Sequence, residues 1–133
     1  MALLIDTSVL VALERGHLSW EALIQRAGDD EVAVAAITAS ELLHGVHRAD
    51  SALRRGRRER FVEAILTRVP VLPFDLEVAR VHARLWADLA AKGVGVGAHD
   101  LLISATVLAG GHRLLSRNER HFRRVDGLDL VVV

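Results

Sequence analysis

The chain lacks cysteine and tyrosine altogether, and its 133 residues include only two prolines, two tryptophans and three phenylalanines. Without cysteine, the sequence excludes disulfide bonds, zinc sites built from thiolates and enzymes with a cysteine nucleophile. A reducing, cytoplasmic setting is therefore expected. The scarcity of aromatic rings also leaves little material for stacking nucleic-acid bases.

Long apolar runs are absent as well. None approaches the roughly 20 residues that a helix needs to span a bilayer. Asp6 and Glu14 interrupt the apolar N-terminal segment, which also lacks a positive leader, so no signal peptide is expected. The chain is nevertheless 51% hydrophobic at 14.5 kDa. We expect one domain with a substantial core, covering residues 1–133.

Charge of one sign does not dominate, because 17 basic residues balance 17 acidic ones. The distribution is uneven, however. Residues 48–60 contain six arginines against two acids, residues 113–124 contain five arginines against one acid, and each segment therefore carries a net charge of +4. Basic clusters of this kind favour a phosphate-bearing partner. For the first segment, a solvated helix start is the alternative interpretation.

Strand-like and helix-like segments alternate along the chain. Short apolar runs indicate buried strands, and capping residues followed by apolar positions three or four apart indicate helices. The predicted strands are 3–6, 31–37, 69–74, 114–116 and 130–133, and the predicted helices are 9–14, 20–27, 39–49, 57–68, a long one after Asp75 and one starting near Asp100. This alternation predicts an α/β fold with a parallel sheet and helices on both sides.

Three acidic residues begin or end apolar segments: Asp6, Glu41 and Asp100. Because the carboxyl ends of parallel strands share one edge of a sheet, carboxylates placed there should converge. Converging carboxylates repel one another, and a divalent cation removes that repulsion. Ligands that are all oxygen suit Mg²⁺ or Mn²⁺, and such an ion can activate water against a phosphoryl group.

Each of these acids also has a purely structural interpretation. Asp6 could be the N-cap of the following helix, although Thr7 and Ser8 supply capping hydroxyls that would leave its carboxylate free. Glu41 could complete a capping box with Thr38 in the first turn of its helix. Asp100 could be favoured at a helix start by the helix dipole. Three coincidences at one predicted edge favour a metal site.

Four segments carry a further signal. Residues 3–10 are Leu-Leu-Ile-Asp-Thr-Ser-Val-Leu, 39–45 are Ala-Ser-Glu-Leu-Leu-His-Gly, 99–106 are His-Asp-Leu-Leu-Ile-Ser-Ala-Thr, and 114–122 are Leu-Leu-Ser-Arg-Asn-Glu-Arg-His-Phe. In content and order they resemble PIN-domain ribonucleases over essentially the whole chain. The closest resemblance is to VapC-type toxins of bacterial type II toxin–antitoxin pairs.

The resemblance implies a three-layer α/β/α sandwich on a mostly parallel sheet and Mg²⁺-dependent endoribonuclease activity, with Mn²⁺ as the other candidate ion and a 5′-phosphate and 3′-hydroxyl as products. Asp6 and Asp100 would be direct metal ligands. Glu41 would bind the ion through water or orient the attacking water. Ser8 would fix the Asp6 carboxylate by a hydrogen bond, with Thr7 as a further supporting residue.

Other features of the site also follow from the resemblance. Many relatives carry a fourth acidic residue where this chain has Asn118 or His121. Asn118 can still hydrogen-bond water at the metal but supplies no charge, so one tightly bound ion is expected. A homodimer and a cognate antitoxin that covers the active-site groove are implied. The arginines best placed to meet RNA phosphates are Arg117, Arg120, Arg123 and Arg124.

Two other functions remain open from the sequence. An aspartyl-phosphate phosphatase also begins with a strand ending in aspartate, but it usually needs a second acid two residues later, where this chain has Ser8. A catalytically silent module could bind RNA or a protein through its arginines while the carboxylates only cap helices. Metal dependence distinguishes the nuclease from the silent module.

Overall fold

The computed structural model describes residues 1–132. Across these residues, five strands and seven helices alternate. The strands are β1 (Ala2–Ile5), β2 (Glu31–Ala35), β3 (Val71–Leu72), β4 (Arg113–Ser116) and β5 (Leu130–Val132). The helices are α1 (Thr7–Glu14), α2 (Trp20–Ala27), α3 (Ala36–His47), α4 (Ala52–Arg68), α5 (Leu76–Lys92), α6 (Ala98–Gly110) and α7 (Glu119–Phe122).

All neighbouring strands of the sheet are parallel, in the order β3-β2-β1-β4-β5. From β1 the chain builds β2 and β3 on one side, and it then crosses to the other side for β4 and β5. The direction of winding therefore reverses between β1 and β4. In open parallel sheets, the crevice at the carboxyl ends of such a pair is the usual place for a ligand.

The central strand β1 supplies side chains to two separate cores. Leu3 and Ile5 belong to a core with apolar residues of α1, α2, α3 and α4. Ala2 and Leu4 face the other way, into a core with residues of α6 and α7. This alternation follows from the two-residue period of a strand. It confirms the prediction of a parallel sheet with helices on both faces, as in a three-layer α/β/α sandwich.

Several predicted boundaries were wrong. The strand predicted for 31–37 ends at Ala35, because the next residues already belong to α3. Helix α4 begins at Ala52, five residues before the predicted start, since the Ser51 hydroxyl caps the Arg54 amide. The edge strand predicted for 69–74 is only two residues long. Val133, predicted as the end of the last strand, lies outside the described residues.

Two predicted helix caps are confirmed. Ser19 caps α2 through the Ala22 amide, and Asp75 caps α5 through the Val78 amide. Helix α7 was not predicted, because a helix of one turn has too few residues to show a period. Its last residue, Phe122, is fully buried in the core beneath it.

Over the described residues, no helix combines the length and the apolar character that crossing a lipid bilayer would require.

Phe122→Ala should lower the free energy of unfolding by about 3–5 kcal/mol, because it leaves a cavity beneath α7. The matched control is Leu53→Ala, which truncates a side chain that is 62% exposed and should cost less than about 1 kcal/mol. Urea unfolding of both variants measures the difference. Equal losses would show that Phe122 does not anchor α7.

Candidate active site

Asp6 lies at the carboxyl end of β1, beside β4, and is only 3% exposed. Its Oδ1 accepts hydrogen bonds from Ser8 Oγ at 2.6 Å and from the Val9 amide at 3.2 Å. Its Oδ2 accepts a hydrogen bond from Ser116 Oγ. The predicted bond from Ser8 is therefore present. The prediction that Thr7 or Ser8 caps α1 was wrong, because Asp6 itself is the N-cap.

The two serine hydroxyls are themselves oriented by the backbone that follows β4. Ser8 Oγ accepts from the Arg117 amide at 3.0 Å, and Ser116 Oγ accepts from the Asn118 amide at 2.9 Å. A hydroxyl has a single proton, so each serine that accepts an amide directs its proton toward Asp6. Sequence reasoning missed Ser116, although it lies in one of the four segments that resemble the family.

Glu41 lies in the second turn of α3, not the predicted first turn. Its Oε1 accepts from Thr7 Oγ1 at 2.8 Å, so Thr7 supports Glu41 and not Asp6. Its Oε2 is 3.2 Å from Nδ1 of His99. The capping-box alternative was wrong, because Ala35 is the N-cap and the buried Thr38 hydroxyl has no hydrogen-bond partner within residues 1–132.

Asp100 is the third residue of α6. A helix that leads into a parallel strand begins at the carboxyl edge of the sheet, so the start of α6 delivers Asp100 to the same edge as Asp6. Its Oδ2 is 3.3 Å from Nδ1 of His121, and its side chain is 23% exposed. His121 occupies one of the two positions at which the family resemblance leads us to expect an acidic residue in many relatives.

The carboxylates act on one another electrostatically. Burial raises the pKa of the Asp6 carboxyl above its ordinary value, hydrogen bonds to its oxygens oppose this, and the charge of Asp100 adds to the rise. Burial also raises the pKa of Asp100, where His121 opposes the rise and Glu41 adds to it. Asp100 thus interacts with both other acids. The structure brings the three predicted carboxylates to one edge.

The carboxylate oxygens of Asp6, Glu41 and Asp100 are ligands that suit a hard divalent cation, although their side chains do not yet surround a metal position. Within residues 1–132, no three acidic or histidine side chains are arranged to hold a metal ion. In the same part of the chain, no arginine or lysine pairs with Asp6, Glu41 or Asp100. A buried carboxylate beside a second one, without a fixed positive partner, is the setting that Mg²⁺ or Mn²⁺ would neutralise.

The remaining predicted residues surround this edge. Asn118 precedes α7 with its side chain exposed and, within the described residues, without a capping hydrogen bond. Arg123 pairs with Glu119, and Arg124 donates to the Gly95 carbonyl at 2.8 Å. Arg117 and Arg120 are also exposed, and their side chains have no partner in the part of the chain that the structure describes. Two of the four predicted arginines are therefore unengaged.

The sequence of this chain is similar to a protein-family model and to several known ribonucleases. A model of the PIN domain matches residues 3–128. Ribonuclease VapC1 of Rickettsia felis is 35% identical over 133 residues, 100% of this chain and 97% of that protein. Ribonuclease VapC of Rickettsia bellii is 34% identical over the same shares.

Solved structures of similar proteins share the fold of this chain. The structure of VapBC2 from Rickettsia felis bound to a DNA fragment from their promoter matches with a TM-score of 0.90 and 23% identity, over 100% of this chain and 99% of that one. At that identity it shows the fold alone. VapBC-5 from Mycobacterium tuberculosis matches with a TM-score of 0.76 and 29% identity, over 99% and 97%. This chain belongs to the PIN-domain family and, within it, to the VapC group of ribonucleases.

Proposed function

We propose that this protein is a metal-dependent endoribonuclease that acts as the toxin of a toxin–antitoxin pair. The observation that carries the proposal is the environment of Asp6. Its buried carboxylate is held by two oriented hydroxyls beside Asp100, and it has no fixed cation among the described residues. Hydrolysis would break a phosphodiester bond of RNA by attack of water, leaving a 5′-phosphate and a 3′-hydroxyl.

Each residue of the site would have a separate role in hydrolysis. Bound Mg²⁺ or Mn²⁺ would supply a Lewis acid that activates water and neutralises charge on the phosphoryl group. Asp6 and Asp100 would hold the ion, because burial raises the pKa of both carboxyls and a bound cation would favour their ionised forms. Thr7 fixes one oxygen of Glu41. The other oxygen would orient the attacking water and accept its proton.

RNA is the proposed substrate class. Arg117 and Arg120 lie on the β4 side of the site, exposed and unengaged within the described residues, where they can contact phosphates. Such contacts set affinity and salt dependence without specifying sequence. One relative, from Salmonella typhimurium, is named as a tRNA(fMet)-specific endonuclease. A single-stranded loop would suit a protein that cleaves a defined RNA.

The proposed partners are an antitoxin and a second copy of the chain. Several similar structures are VapBC complexes, which supports an antitoxin partner. The family resemblance implies that a C-terminal segment of this antitoxin lies over the site and inserts an arginine among the carboxylates. Exposed apolar side chains on and before α5, including Phe74, Leu76 and Trp86, support a homodimer. We further propose that residues 1–133 form one nuclease domain that acts in the cytoplasm.

A catalytically silent binding module is the second candidate. It is favoured by the histidines that contact Glu41 and Asp100, because both carboxylates already have a protein partner. Adding EDTA separates the two functions: a nuclease loses cleavage and regains it with Mg²⁺ or Mn²⁺, whereas a silent module binds RNA equally well with and without the ion.

Asp6→Asn and Asp100→Asn should each lower the rate of RNA cleavage by more than about 100-fold, since each removes a ligand charge while keeping the shape of the side chain. Ser116→Ala should lose about 10–100-fold, the usual effect of losing a hydrogen bond to a metal ligand. Asp126→Asn is the control, because its side chain is 91% exposed. Full activity of both ligand variants, with folding checked by circular dichroism, would refute the assignment.

The raised pKa of Asp6 predicts a stability effect that does not depend on activity. A raised folded-state pKa means that ionised Asp6 destabilises the metal-free fold above that pKa. Asp6→Asn should therefore unfold at higher urea concentration than the parent protein at pH 7 in EDTA. The gain should shrink as the pH falls through the raised pKa toward the ordinary value of 3.8.

The stability measurement has its own control arm. Mg²⁺ should stabilise the parent protein more than Asp6→Asn, because a ligand stabilises the state that binds it. A variant that is less stable than the parent in EDTA at pH 7 would show that the hydrogen bonds to Asp6 outweigh its burial.

Asn118→Asp should tighten Mn²⁺ binding several-fold, because it adds a fourth negative charge near the ion. Asn118→Ala should reduce cleavage less than the loss of Asp6 or Asp100. Isothermal titration calorimetry of the metal-free proteins gives the affinity. An unchanged Mn²⁺ affinity in Asn118→Asp would remove Asn118 from the site.

A further inference from the structure

The arginines of residues 48–60 have no role in the site described so far, and the fold divides them into three pairs. Arg54 forms an ion pair with Asp50 at 3.0 Å, and Arg55 donates to the Ala49 carbonyl at 3.1 Å. These two side chains brace the turn between α3 and α4. The other two pairs are Arg48 with Arg58, and Arg57 with Arg60.

Arg48 and Arg58 line a groove that begins at the candidate active site. The groove has a volume of about 550 Å³ and runs between α3 and α4. Its lining includes Glu41 of the candidate site together with Thr7 and His99, the two residues that contact Glu41. The rest of its lining is Ile37, Ser40, His44, Gly45, Arg48 and Arg58. Arg57 and Arg60 are exposed on the same helix as Arg58 but do not line it.

The two groove arginines differ in how far they are already paired. Arg58 lies against Gly45, where an added Cβ would be 3.7 Å from its Cδ and Nη1. Its contact with Glu14 is long, at 3.5 Å, and its side chain stays 46% exposed. Arg48 is exposed at the end of α3, and its side chain has no partner within the described residues. The groove therefore offers an anion one guanidinium group without a partner among the described residues and a second that is paired with Glu14 but still half exposed.

We propose that this groove is a subsite for RNA backbone phosphates that flank the cleaved bond, an inference that rests on the proposed nuclease function. In the sheet, α3 follows β2 and α7 follows β4, and Asp6 comes directly after β1, the strand between β2 and β4. Arg117 and Arg120 therefore lie on one side of the carboxylates, and Arg48 and Arg58 on the other. One RNA strand crossing the site meets both pairs.

Charge favours RNA over a protein segment as the occupant. Arginine forms bidentate contacts with phosphate. Apart from Ile37, the groove is lined by polar, charged or small side chains, so it lacks the row of large apolar side chains that an amphipathic helix would need. Its continuity with Glu41 also places any strand bound there next to the reacting group.

The test compares two double variants with the same change in charge. The first double variant, Arg48→Ala/Arg58→Ala, removes both guanidinium groups from the groove. The second, Arg57→Ala/Arg60→Ala, is the matched control. Both are made in an Asp100→Asn background, which prevents cleavage of the probe. The probe is a fluorescent single-stranded RNA of mixed sequence, titrated by fluorescence anisotropy over a series of NaCl concentrations.

The groove variant should bind the RNA more weakly, and its plot of log affinity against log salt concentration should be shallower by about 1.4, since each phosphate contact on a single strand contributes about 0.7. The control should keep the parent slope. Arg48→Ala alone, which removes no hydrogen bond or ion pair of a side chain within the described residues, should reduce the slope by about half as much. This single variant keeps the test valid if losing the contact between Arg58 and Glu14 affects folding.

Equal slopes in the groove and control variants would overturn the subsite while leaving the nuclease intact. The same holds if the groove variant keeps the parent slope but no longer co-purifies with the antitoxin, because the groove would then bind protein. If the parent neither binds this RNA nor cleaves RNA with Mg²⁺ or Mn²⁺, the proposed function itself fails.

Discussion

A buried negative charge is the constraint on which the rest of this molecule depends. Asp6 lies where the winding of the parallel sheet reverses, with 3% of its surface exposed. Ser8, Ser116 and the Val9 amide donate hydrogen bonds to it. They offset its desolvation only in part, since its pKa stays raised. The cation proposed for this edge would offset the remaining imbalance.

The topology brings the other carboxylates to the same place by two different routes. Glu41 is carried by α3, a helix that leaves the carboxyl end of β2. Asp100 is carried by the first turn of α6, a helix that starts at this edge in order to reach β4. Both routes follow from the geometry of parallel strands joined by helices. Functional sites often lower the stability of a fold, and the stability effect predicted for Asp6 would be an example.

The sequence was sufficient to predict the parallel sheet, the acidic set and the caps at Ser19 and Asp75, because these depend on short-range patterns. It was not sufficient for features decided by distant parts of the chain. Ser116 bonds to Asp6 only because β4 pairs with β1, 110 residues away. Thr7 likewise reaches Glu41 through tertiary packing. The start of α3 was misplaced because Thr38, a typical capping residue, is instead buried inside the helix.

The two histidines explain how three acidic residues can share one edge without forming a metal site among residues 1–132. His99 contacts Glu41 and His121 contacts Asp100, and both imidazoles are more than half exposed. Because the imidazoles are open to solvent, they can move away when a cation binds the carboxylates. Asp6 differs, because its partners are oriented by the backbone after β4. The site therefore combines one rigid carboxylate with two that can adjust to an incoming ion.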